Sequence, residues 1–300
     1  MGKAERIRRM NARERDAAQQ AAAKRAEARR RMLLASGSVL GVIVIVLAMI
    51  LIKNLSKPAA AGTSASSDQA ATVSSEITSV PTGTLNAVGK GNAGKLLATS
   101  GQPALTSGGK PEIVYMGAEY CPYCAAERWA MAVALSRFGT FSHLKFIHSS
   151  STDVYPNTPT LSFYKSSYTS QYIDFSPVEL YSGKAVHNGY AALQKPTAAQ
   201  AALMAKYDAP PYIQSADSGS FPFVDIGNQY LLIGAQYLPS SLANLSWAQV
   251  ATDIWNPASP VAQEVDGAAN SITAAICKIT KNAPAAVCNS VAAKAGAGSL

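Results

Sequence analysis

Histidine is nearly missing from this sequence: His143, His148 and His187 are the only three among 300 residues. No short spacing joins them to one another or to a cysteine as metal ligands are joined. They read as ordinary polar residues, and no metal centre or cofactor is expected. No Gly-x-Ser-x-Gly elbow occurs, which leaves serine hydrolysis without support. Charge is lopsided. Residues 1–31 hold eleven Lys or Arg against Glu5, Glu14, Asp16 and Glu27, a net +7 out of +8 for the whole chain. The remainder is close to neutral, so a nucleic-acid surface on the main domain is not expected.

Residues 32–52 contain no charged side chain at all. At 1.5 Å per residue this run spans roughly 30 Å, the thickness of a bilayer core, and reads as a single transmembrane helix in the cytoplasmic membrane. The basic excess before it puts the N-terminus in the cytoplasm and the chain from Lys53 onward outside. A cleaved signal peptide is the rival, with Ala59, Ala60 and Ala61 downstream, but the basic region and the apolar core are both too long for one. Residues 1–31 are then a basic cytoplasmic tail on the anionic inner leaflet, with RNA binding as the sharper alternative. Residues 53–84 are small, polar and aperiodic, and are expected to form a flexible stalk.

What is present is concentrated in residues 113–138, IVYMGAEYCPYCAAERWAMAVALSRF. Ile113, Val114, Tyr115 and Met116 suit a short buried strand that Gly117 ends. From Cys124 onward strong helix formers dominate, with Gly139 as the stop, so Cys121 and Cys124 fall on the first turn of a helix. There a Cys121 thiolate meets unpaired backbone N–H groups and the positive end of the helix dipole, both of which favour it. Pro122 presets the helical φ at the first position, and Tyr123 completes the turn. Cys124, one turn along and more shielded, is the resolving thiol. Half a zinc site or an inert bridge are the alternatives, but a second ligand pair at zinc-finger spacing is lacking.

Further on, residues 144–148 read as a second strand, completing a strand–helix–strand unit with parallel pairing. Residues 160–182 alternate aromatic and small polar side chains, suggesting short strands or an irregular excursion. Residues 197–207 read as a capped helix packed on the sheet. Residues 223–226 and 229–233 are two β-rich runs around a two-residue turn, Gly227-Asn228, with Pro222 at the start. Helical patterns fill residues 246–280, broken by Pro257 and Pro260. Cys277 and Cys288 read as a structural disulfide closing a short loop outside the membrane, where disulfides persist. A second redox pair, or free or metal-bound thiols, are the alternatives. The globular domain is expected over residues 85–290, with 291–300 a disordered tail.

The order of strand, Cys-Pro-Tyr-Cys helix, strand, helical insertion, Phe221-Pro222 hairpin and C-terminal helix resembles the thioredoxin superfamily, an α/β fold with a mixed sheet. Residues 117–130 (GAEYCPYCAAERWA) with 222–230 (PFVDIGNQY) are similar to a thioredoxin-like family of microbial membrane proteins, DUF929. The resemblance implies Cys121 as nucleophile, Cys124 as resolving thiol, and Pro222 as a cis-proline that binds a substrate backbone together with its neighbour Phe221. Phe221 replaces the Thr or Val common there in thioredoxins. The buried acid of thioredoxins has no equivalent among residues 113–116, which leaves Glu119 or Glu127 as candidates for proton transfer, against a plainer reading as surface carboxylates. The implied function is a membrane-anchored, extracytoplasmic thiol–disulfide oxidoreductase, whether oxidase, isomerase or reductase. Its partners are protein thiols and disulfides and a recycling redox protein, membrane-embedded or not. A non-catalytic assembly domain and a copper carrier on the same cysteines are the alternatives.

Overall fold

The computed structural model describes residues 65–300. The basic tail, the charge-free segment 32–52 and the first part of the expected stalk lie outside the described residues. Among those described, no helix is long and apolar enough to cross a membrane. The last part of the expected stalk is folded: helix α1 (Ser67–Thr78) is capped by the Ser66 side chain and followed by α2 (Thr82–Val88). Val73 and Ile77, one turn apart, are buried, and the Trp255 indole donates to the Glu76 carbonyl at 2.9 Å. Two apolar residues at i and i+4 suffice to seat a helix on an existing core, and small polar neighbours hid them in the average composition.

Strands β1 (Leu97–Ala98) and β2 (Thr106–Ser107) lead into β3 (Lys110–Gly117) and then α3 (Pro122–Ser136). Four short strands follow, β4 (Gly139–Ser142), β5 (Lys145–His148), β6 (Pro159–Ser162) and β7 (Ser167–Ser170), paired antiparallel as β4 with β7 and β5 with β6. Next come β8 (Asp174–Glu179), a separate hairpin of β9 (Tyr181–Val186) and β10 (Gly189–Ala192), and helix α4 (Ala198–Tyr207). The chain ends with β11 (Phe223–Ile226), β12 (Tyr230–Ile233), α5 (Trp247–Trp255), α6 (Pro260–Ile279), α7 (Ala285–Cys288) and α8 (Val291–Gly296).

The main sheet runs β1, β12, β11, β3, with β2 and β8 sharing the far edge of β3. Only β8 is parallel to β3, so the sheet is mixed and the α/β expectation holds at that level. Strand alternation gives β3 two buried faces. Ile113 and Tyr115 join α3, α5 and α6 in one core through Trp129, Val250 and Ile272, while Val114 and Met116 join Phe223, Leu231 and Tyr207 of α4 in another. Burial of each large apolar side chain contributes roughly 1.5–3 kcal/mol, so β3 is held from both sides.

Three expectations need correction. The strand that returns parallel to β3 is β8; residues 145–148 instead pair antiparallel with β6. In β5 only Phe146 is buried, which suits a ribbon at the margin, and β8 was hidden because Asp174, Ser176 and Pro177 break any apolar run. A proline fits β8 because an edge strand need not donate on its outer side. The hairpin loop has three residues, since Ile226 pairs with Tyr230 and leaves Gln229 in the turn beside Gly227 and Asn228, both at positive φ. Finally, residues 291–300 are ordered into α8 and a short 3-10 turn, with Ala292, Ala293 and Ser299 buried. A Cβ on Gly296 would collide with the Asn270 carbonyl of α6, so the small residues there serve a close helix contact.

Candidate dithiol site

The site forms where β3 stops and α3 starts. Cys121 is the N-cap of α3 in extended conformation (φ −73, ψ 122), and Pro122 occupies the first helical position. The Cys121 sulfur accepts from the Cys124 backbone N–H at 3.2 Å, so a first-turn donor that would otherwise be orphaned is aimed at it. Its thiol also reaches the Phe221 carbonyl at 3.8 Å, across the cis peptide between Phe221 and Pro222. The structure therefore brings Cys121, Cys124, Phe221 and Pro222 together. Tyr123 is half-buried at the rim, where it meets Tyr155 edge-on.

Both thiols are reduced, and their surroundings differ. Cys121 keeps 7% of its surface open and Cys124 none. A hydrogen bond with Cys124 holds the Cys121 thiol below its ordinary pKa, helped by the Cys124 N–H and the Arg128 charge, against an opposing effect of burial. Cys124 is pushed well above its ordinary value, chiefly by burial and then by its hydrogen bond to Cys121. Of the two sulfurs, ionisation is therefore favoured at Cys121 and disfavoured at Cys124.

Beneath the sulfurs lies a buried ion pair that sequence reasoning missed. Arg128, fully buried on α3, donates through Nε to Glu179 Oε1 at 2.9 Å and through Nη2 to Glu179 Oε2 at 2.7 Å, with Nη2 also 2.7 Å from the Ala118 carbonyl. Glu179 comes from β8, in register with Gly117. The signal in the sequence was Arg128 itself: the one cation in α3, four residues after Cys124 and so on the same helix face. Its acid partner, 51 residues away, carried no signal.

The two candidate proton carriers are not surface carboxylates. Glu119 is half-buried and accepts from the Ser162 hydroxyl at 2.7 Å. Glu127 is fully buried, accepts from the Gln236 backbone N–H at 2.9 Å, and is pushed by burial up to about 7. Around the opening, Tyr120 stacks on Tyr190 with centroids 3.9 Å apart, and Tyr181 stands nearby. Burial, and next the Cys121 charge, push Tyr120 up to about 12, so it remains a neutral wall.

Cys277 and Cys288 form the expected disulfide, tying the end of α6 to α7. It belongs to the opposite end of the sheet. Ile279, two residues on, packs where a Gly227 Cβ would stand, and Gly227 donates to the Glu112 carbonyl at the start of β3, whereas Gly117 at its end adjoins Cys124. From 112 to 117 a strand covers about 16 Å. Among the described residues no group of three or more His, Cys, Asp or Glu is arranged to hold a metal ion.

One further pattern has a structural explanation. Gly89, Gly91 and Gly94 carry the Gly-x-Gly-x-x-Gly spacing of a dinucleotide loop, but they follow a helix, and a Cβ on Gly91 would strike the Gln263 carbonyl of α6. Close packing accounts for Gly91 and Gly94, and Gly89 takes a positive φ at the end of α2.

The family described as "Domain of unknown function (DUF929)" matches residues 97–278, which include Cys121, Cys124, Phe221 and Pro222. Comparison with curated proteins and with solved structures finds no match.

Proposed function

The chain belongs to the DUF929 family, whose description assigns no reaction, and from that starting point we propose that it is a thiol–disulfide oxidoreductase of thioredoxin-like build. The observation that carries this reading is the contrast between the two sulfurs: Cys121 on a helix start and the more easily ionised, Cys124 sealed and held from ionising three residues on. That contrast is what sequential thiol exchange requires. In the reducing direction the Cys121 thiolate attacks a client disulfide, and one client sulfur leaves with the electron pair and takes up a proton. Cys124 then loses its proton and attacks Cys121 Sγ, breaking the mixed disulfide. The second client thiol departs, and the two electrons have come from the dithiol, now a disulfide. Run backwards, the same steps oxidise a client.

The layout supports the thioredoxin-like comparison: α3 stands between β3 and its parallel partner β8, and the antiparallel β11–β12 pair follows directly on Phe221 and Pro222. Phe221 and Pro222 are the natural dock for a client backbone, because the Phe221 carbonyl already lies beside the attacking sulfur. We assign the domain to the extracytoplasmic side of a single-pass anchor at residues 32–52, recycled by a redox partner. The charge-free run behind a basic tail and the Cys277–Cys288 disulfide support that assignment.

The test is to incubate the full chain with a reduced, unfolded disulfide protein. Catalysed refolding that vanishes in Cys121→Ser, with mixed disulfides accumulating in Cys124→Ser, is the expected result. Absence of both, with stoichiometric metal uptake instead, would replace this reading by a metal carrier; absence of all three would leave a non-catalytic assembly domain.

A further inference from the structure

Tyr115 is fully buried on β3, edge-on to Phe163 at 5.2 Å, with the Arg128 guanidinium 5.9 Å from its ring centre. Its hydroxyl has no hydrogen-bond partner. A buried hydroxyl without a partner costs stability, and phenylalanine would fill the same space without that cost. The hydroxyl is close to the resolving sulfur: a Cβ on Gly117 would collide with the Tyr115 hydroxyl and stand 3.1 Å from Cys124 Sγ, so both atoms line the one space that glycine leaves open. Arg128 Nη1, in the same buried layer, is likewise without a partner.

We infer that the Tyr115 hydroxyl is the hydrogen-bond donor that receives Cys124 when it becomes a thiolate in the resolving step, an inference that rests on the dithiol reading above. While Cys121 is the thiolate, Cys124 is hydrogen-bonded to it and makes no demand on the phenol. Once Cys121 is tied to a client sulfur, that anionic acceptor is gone and Cys124 must ionise where water is absent. The groups facing it are Cys121 and Arg128 from α3, Tyr115 from β3, Glu179 from β8 behind Arg128, and the Ala118 backbone N–H, which already donates to it. Glu179 engages two of the Arg128 nitrogens; Nη1 stays as an unpartnered cationic donor, and the phenol is the unpartnered neutral one. Burial raises the Tyr115 pKa well above its ordinary value, so the phenol keeps its proton. The Cys124 proton leaves with the client thiol, Cys124 Sγ bonds to Cys121 Sγ, and Tyr115 gives up nothing. Tyr115 is thus a positioning residue acting through Cys124.

A symmetric aromatic disulfide reports the two steps separately, releasing one chromogenic thiol when Cys121 attacks and a second when Cys124 does. In Tyr115→Phe of the full chain the first release should be unchanged and the second about tenfold slower, as expected for loss of a hydrogen bond to a charged sulfur. In a Cys121→Ser background, the NMR titration of the Cys124 Cβ should move up by about one unit on adding Tyr115→Phe. The melting temperature should hold or rise. An unchanged second release and titration, or a lower melting temperature, overturns the inference, the last because it would give the hydroxyl a structural role. If the wild-type chain releases no thiol faster than free cysteine does, the dithiol reading itself has failed. The Cys124 titration still decides the Tyr115 contact in that case, since it needs no turnover.

Discussion

The two cysteine pairs sit at opposite ends of one sheet and have opposite surroundings. Cys121 and Cys124 share the first turn of α3, reduced, above a buried Arg128–Glu179 pair and behind a rim of tyrosines. Cys277 and Cys288 join two helices as a disulfide, 11 residues apart in sequence, with α8 packed against α6 beside them. Spacing alone says little about which pair reacts. At the first pair a hydrogen bond between the sulfurs, a first-turn backbone N–H and a nearby cation favour ionisation of one sulfur while burial suppresses the other. At the second, the bond links segments that would otherwise separate, so its contribution is to the cost of unfolding.

If the buried charge pair belongs to the reactive end as an integral part, its loss should be the largest effect on stability. Arg128→Met leaves Glu179 buried without a counter-charge and should cost about 3–5 kcal/mol by chemical denaturation. The double change Arg128→Met with Glu179→Leu should recover most of this, because both charges then go. Double-variant stability no better than the single would mean the pair's hydrogen bonds to Ala118 and Phe163, rather than its charge balance, hold this end together.

The far end gives the matching test. Cys277→Ser should lower stability by about 3 kcal/mol on the chain-entropy estimate for so short a loop, and leave thiol release from Cys121 unchanged. Loss of release with an unchanged melting temperature would erase the contrast between the pairs and make the second a relay for the first. Geometry opposes a relay, since the length of β3 separates them.

How much of this was legible in the sequence follows from where each interaction is closed. The β3 strand, the cysteine-bearing turn, the capped α4 helix and the β11–β12 pair rest on neighbours within a few residues, and their patterns were readable. The Thr197 cap with Gln200 returning to it is one example. The partner strand β8 was not, because its polar residues are satisfied from afar: Glu179 by Arg128, and Ser176 by donating to Glu112 at 2.6 Å. Judged locally, such residues argue against a buried strand. The Tyr115 hydroxyl was hidden for the converse reason, since a tyrosine in a β-rich run reads as an ordinary core side chain.

Glu127 offers the finest distinction, because it lies on the same helix as the reactive pair yet is held by Gln236. Burial raises its pKa from 4.5 to about 7, so the folded state binds this proton more tightly than the unfolded chain does. The associated stability is complete below the unfolded value and is lost as pH climbs through the folded one. Between about pH 5.5 and about pH 7.5 the Glu127 share of the loss should reach about 2 kcal/mol, and Glu127→Gln should make that part of the stability curve less steep by this amount. Asp266, pushed by burial up to about 8, adds its own decline across and beyond this window in both proteins, so the difference between the two curves is what reports Glu127. Thiol release in Glu127→Gln should stay within a factor of about two, as expected of a group whose bond is to the backbone rather than to sulfur. If release instead falls together with the steepness of the curve, Glu127 carries the proton that Cys124 must lose, and the reactive end includes the Glu127 face of α3 as well as the Arg128 face.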